Sequence, residues 1–115
     1  MPLQLLKIQY ELDIKQMKEQ NKMIKFNNLL SYQLKKEQNQ SQHHNQKSEI
    51  NKQYKQGKIT EKKWINKTKI LDTKYLNNSY KDSKAWFDGY LKLCSDGDNK
   101  LLNLSKQYEK NRNSL

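Results

Sequence analysis

Apolar side chains recur at helical spacing along most of this chain, set in a polar, lysine-rich background. Leu3, Tyr10, Met17 and Ile24 follow one another every seven residues, and Leu6, Ile14 and Tyr32 widen their stripe. At 3.6 residues per turn these positions form a seam along one helix face, and nothing between Leu3 and Lys36 breaks a helix. A first helix over 3–36 is therefore expected. A second stripe on its opposite side is formed by Leu5, Ile8 and Leu12, then by Met23, Phe26, Leu30 and Leu34. Two stripes imply two contacts, as for a helix inside a bundle or between neighbouring chains. The alternative is one broad stripe drifting around an imperfect helix.

Residues 37–49 contain no apolar side chain. Such a stretch buries nothing and admits three readings: a solvated loop, a disordered linker, or an exposed continuation of the helix. His43 and His44 are adjacent, whereas metal ligands on a helix stand three or four residues apart, and too few further ligands exist to complete a set. They are expected to be solvated polar filler, and no metal or other cofactor is expected.

Between 50 and 94 the pattern predicts helix, tight turn, helix. Gly57 suits the left-handed conformation that closes a helix C-terminus. Thr60 is placed to cap the next helix, Glu61 to meet its positive end, and Ile59 and Trp64 have the spacing of a hydrophobic staple. The run from Ile50 to Leu71, with Gly57, Ile59-Thr60 and an aromatic Trp64, resembles the short C-terminal oligomerisation module of many bacterial proteins and similar turns in phage head proteins. It departs from that pattern in carrying Lys62 and Lys63 where acidic residues are usual, and in lying mid-chain. Shared turn physics accounts for the resemblance.

The second helix is expected from Glu61 to about Cys94, with Trp64, Ile65, Leu71, Tyr75, Trp86, Tyr90 and Leu93 on one face and Thr68, Ser79 and Asp82 interrupting it. Its length of about 50 Å at 1.5 Å per residue approaches that of the first helix and favours antiparallel pairing. Trp86-Phe87-Asp88-Gly89 resembles the Trp-x-Gly turn of small secreted helical hairpins, with one residue too many between Trp and Gly. An aromatic anchor formed by Trp86, Phe87 and Tyr90 explains it more simply. Ser95 to Asn99 reads as a turn, after which Asp98 or Asn99 caps a final short helix with the stripe Leu101, Leu104, Tyr108 and Leu115. Segment 95–115 thus completes an all-α fold: an elongated antiparallel hairpin, coiled-coil-like, with a shorter C-terminal helix folding back.

Composition narrows function by exclusion. Only 33% of the 115 residues are hydrophobic and 30% are charged, so a large private core is not expected. Two tryptophans, seven tyrosines and two phenylalanines are more than a solvated tail carries. The net charge of +11 suggests a polyanion, yet Arg112 is the sole arginine among 23 basic residues. Arginine is the side chain suited to bidentate phosphate and guanine contacts. Lysine, asparagine, isoleucine and tyrosine also share A/T-rich codons, so genome composition accounts for part of the excess. Weak, sequence-independent contact with nucleic acid or with an acidic protein is the form of binding this charge supports.

Cys94 stands alone, which excludes an internal disulfide. No run approaches the ~20 apolar residues of a membrane span, and the first residues lack a signal-peptide pattern. A soluble intracellular protein is the expectation, with secretion without a cleaved signal and organellar import left open. No phosphate loop, nucleophile–base pair or paired carboxylate is indicated, so the chain is expected not to be an enzyme. The expected role is a non-catalytic helical interaction protein, an accessory, scaffold or structural subunit that meets a protein partner or itself through helix one. The alternative is a lysine-rich, nonspecific nucleic-acid-associated protein.

Overall fold

A computed structural model describes residues 2–115. It is an all-α antiparallel helical hairpin of two helices, α1 (Leu3–Lys55) and α2 (Glu61–Asn113), each of 53 residues. The polar stretch 37–49 belongs to α1: of its three readings, the continued helix is the one observed. Gln, Lys and Glu sustain helix there, and one side of the stretch gains partners on α2, which offsets what Asn and Ser cost.

The turn at 56–60 follows the expected chemistry. Gly57 has φ of 71°. Its N–H donates to Tyr54 O at 3.0 Å, and Lys58 N–H donates to Gln53 O at 2.9 Å. This pair of bonds is a Schellman closure of α1. Thr60 Oγ1 then accepts from the Lys63 N–H at 3.2 Å, and Thr60 O accepts the first bond of α2 from Trp64 N–H at 2.9 Å. Two orphan carbonyls at one helix end and one orphan donor at the next are thereby satisfied across this turn.

Two sequence expectations are corrected beyond this point. α2 does not stop near Cys94, and no turn occurs at 95–99, so the separate shorter C-terminal helix is the last part of α2. Asp98 and Asn99 are consequently mid-helix residues and cap nothing. Gly97 does not break the helix, for a mid-helix glycine costs only about 1 kcal/mol relative to alanine. Gly97 is the one buried residue of α2. A Cβ added there would stand 3.0 Å from Nδ2 of Asn21. The glycine is used for close approach, not for a turn.

Contacts divide the chain into two compact units. One comprises the chain up to Leu29 together with Phe87–Leu115, and the other comprises Leu30–Trp86. No hydrophobic side chain among the described residues is fully buried in either. Each unit is a pair of helices sharing a half-buried seam, with no third layer.

Candidate interaction surface

In the unit Leu30–Trp86 the seam is built on stacked rings. Tyr32 stacks on Trp86 with centroids 5.1 Å apart, His43 on Tyr75 at 4.3 Å, and Tyr54 on Trp64 at 4.5 Å. These residues stand eleven apart on each helix: 32, 43 and 54 on α1, and 64, 75 and 86 on α2. In the other unit Tyr10 stacks on Tyr108 at 4.3 Å. Asn21 lies against Gly97 there, with its Nδ2 donating to Gly97 O at 3.4 Å. Positions 10 and 21, and 97 and 108, are again eleven apart, and every pair in both units has residue numbers summing to 118.

Eleven residues make three turns at 3.67 residues each, closer to the relaxed 3.6 than the 3.5 of a heptad. A helix with this repeat holds its seam with less rewinding. The seven-residue spacing read from Leu3, Tyr10, Met17 and Ile24 is therefore not the period of the seam. Leu6, Tyr10, Ile14 and Met17 are half-buried, but Leu3 is 53% exposed and Ile24 40%. Trp86 and Tyr90 of the expected aromatic anchor are half-buried, whereas Phe87 is exposed. Ile65, expected on the inner face of α2, is exposed, and the polar Thr68, Ser79 and Asp82 are in the seam.

Polar groups fix the seam of the unit Leu30–Trp86. Asn39 Nδ2 donates to Asp82 Oδ2 at 2.7 Å, Lys35 lies 3.0 Å from Oδ1 of the same carboxylate, and the Tyr32 and Ser83 hydroxyls share a bond of 2.7 Å. Trp64 Nε1 donates to Asn51 Oδ1 at 2.8 Å. Asp72 Oδ1 meets His43 Nε2 at 2.7 Å, and Lys47 Nζ lies 3.3 Å from both carboxylate oxygens. The His43 hydrogen bond is the largest influence on the Asp72 carboxyl; desolvation opposes it, and the weaker bond and charge of Lys47 help to hold the group below the usual carboxylate range. His43 is thus a structural member of the seam and not solvated filler, while His44 next to it is exposed. The seam of the other unit is more apolar, with Leu93, Cys94, Leu101, Leu104 and Tyr108 half-buried on α2.

The opposite stripe of α1 is uncovered. Leu5, Leu12, Met23, Phe26, Leu30 and Leu34 are all exposed, by 44–65%. α2 has an uncovered stripe as well, which the sequence reading missed. Ile65 and Leu76 are eleven residues apart, as are Tyr80, Leu91 and Leu102, and all five are exposed. They follow the ring-stack positions by one and by five residues, which puts them together on one side of α2. A scan at period eleven is the signal that finds them.

Lysines Lys15, Lys18, Lys22 and Lys25 border a shallow cavity of about 440 Å³ in the unit that contains Gly97, whose rim also carries Glu11 and Asp98. No group of three metal-ligating side chains occurs among the described residues. Among the described residues no helix is long and apolar enough to cross a membrane. In comparisons with known proteins, no family model, no curated protein and no solved structure matches this chain.

Proposed function

We propose that this protein is a non-catalytic helical interaction subunit, an accessory or scaffold component that completes a helical assembly through the outer stripe of α1. The observation that supports this reading is the exposure of that stripe: Leu5, Leu12, Met23, Phe26, Leu30 and Leu34 stay in water, and no hydrophobic side chain among the described residues is fully buried. An apolar row of this length on a helix already packed on its other face marks a second contact. The chemistry-bearing side chains are occupied in ways that favour a structural role, with His43 held between Asp72 and Tyr75 and Cys94 half-buried in the seam.

Substituting Leu5 and Leu12 by Asp places charge on the stripe without touching the seam. Association measured by light scattering of the purified chain, and by pull-down with the tagged chain, is expected to be lost in this variant and kept when Gln42 is replaced. A cooperatively folding monomer with no partner overturns the proposal. The second reading, weak nonspecific nucleic-acid contact, is favoured by the lysine row 15, 18, 22 and 25 beside its shallow cavity. The mixed charge of that rim ranks it lower.

A further inference from the structure

We propose that the partner for the outer stripe of α1 is a second copy of this chain, whose α2 receives residues 8–23 antiparallel along residues 65–80. The inference rests on the interaction reading above and adds the occupant, the receiving surface and the register.

Period selects the occupant. A heptad seam drifts about 20° per seven residues in one sense around a straight helix, and an eleven-residue seam drifts in the other. Helices of the two kinds therefore part company within a few turns. The uncovered stripe of α2 repeats every eleven residues, so the helix that lies along it must do the same. α1 carries such a stripe: Leu12, Met23 and Leu34 are eleven apart, and Ile8, Glu19 and Leu30 form a parallel row.

Charge selects the register. In the α1 row the apolar series is interrupted once, by Glu19 between Ile8 and Leu30. The α2 row Lys69, Tyr80, Leu91 and Leu102 likewise has one charged member, Lys69, at its start. Setting Glu19 of one copy opposite Lys69 of another, antiparallel, brings Ile8 to Tyr80, Leu12 to Leu76 and Met23 to Ile65. All four pairs sum to 88. The six apolar members are each more than half exposed, at 52–69%. Ile65, Lys69 and Leu76 border one shallow cavity with Thr68 and Thr73. Glu19 has an exposed ion pair with Lys22 at 3.6 Å, a contact weak enough to exchange.

The two surfaces differ, so the contact is head to tail, and each copy that donates its α1 stripe keeps its own α2 stripe available for the next. This arrangement gives a decisive test by mixing. Leu12→Asp spoils the donated stripe only, and Leu76→Asp the receiving stripe only. Sedimentation velocity of the wild-type chain should show species larger than a dimer that grow with concentration. Each variant alone should be monomeric, with its apparent dissociation constant raised about tenfold or more, and far-ultraviolet circular dichroism should remain helical because both positions are exposed. An equimolar mixture of the two should form a dimer and stop there. Glu19→Lys and Lys69→Glu should each weaken association, and mixing them should restore it. A wild-type chain that stays monomeric, oligomers indifferent to these substitutions, or a mixture that remains monomeric overturns the proposal. If the chain alone is monomeric while a different protein is captured in a Leu5- and Leu12-dependent manner, self-docking fails and the broader interaction reading stands.

Discussion

At the scale of single residues, one position breaks the aromatic series that holds the two helices together. Where the repeat calls for another ring pair the chain has Asn21 and Gly97, the smallest pair of the five. Gly97→Ala sets two effects against each other: about 1 kcal/mol gained in helix propensity, and a new Cβ 3.0 Å from the Asn21 amide, which must rotate away and give up its bond to Gly97 O. The substitution should be nearly neutral in denaturant unfolding. In an Asn21→Ala background the obstruction is gone, and the same change should stabilise by about 1 kcal/mol. Among the charged residues, Asp72 has a carboxyl that its neighbours shift. Its carboxyl is depressed by His43 and Lys47, so the folded chain binds fewer protons than the unfolded one between the folded value and the ordinary 3.8. Asp72 therefore contributes stability that is present above that ordinary value and lost as pH falls through the depressed one. Melting temperature followed from pH 6 to pH 2 should fall more steeply for wild type than for Asp72→Asn.

At the scale of elements, the sequence was legible where local chemistry decides. Gly57 and Thr60 specify a closure and a cap that depend on no distant partner, and both appear as expected. The polar stretch 37–49 was not legible, because its helicity rests on Asn39 meeting Asp82 and His43 meeting Asp72 and Tyr75, partners 29 to 43 residues away. The false turn at 95–99 has the same origin. Asp, Gly and Asn are turn residues by propensity, and only the approach of Asn21 explains why Gly97 belongs inside a helix. The seven-residue reading of α1 coincided with the true seam at Tyr10 and Met17 and left it at Leu3 and Ile24, as a period of 3.5 must when the structure uses 3.67. If the eleven-residue unit is the module, removing one from each helix in register leaves the remaining pairs matched. Deleting 33–43 together with 75–85 keeps Tyr32 opposite Trp86 and Tyr54 opposite Trp64, and the product should remain helical with a cooperative melt. Removing nine residues from each helix, 33–41 and 77–85, turns the two halves of each seam by nearly half a turn relative to one another, and cooperativity should be lost.

At the scale of the whole molecule, composition and surface argue together. With a net charge of +11 and no fully buried hydrophobic side chain among the described residues, the chain gains little from its own core, so its remaining apolar stripes and its lysines compete to define what it meets. The two have different signatures in salt. Apolar docking is indifferent to moderate ionic strength or strengthened by it, whereas each phosphate contact through a lysine releases counterions and weakens steeply as salt rises. The lysines are spread over both helices, and the row at 15, 18, 22 and 25 is interleaved with Glu11 and Glu19. Few of them can face one polyanion at once. Binding to DNA or RNA should therefore be weak, fall sharply between low and physiological salt, and differ little between a given oligonucleotide and its scrambled counterpart, as a fluorescence competition titration would measure. Self-association measured across the same salt range should persist, since shielding a chain of this charge lowers the repulsion between copies while leaving the apolar contact intact. Tight, sequence-selective binding at physiological salt would place the lysines, and not the stripes, at the centre of what this protein does.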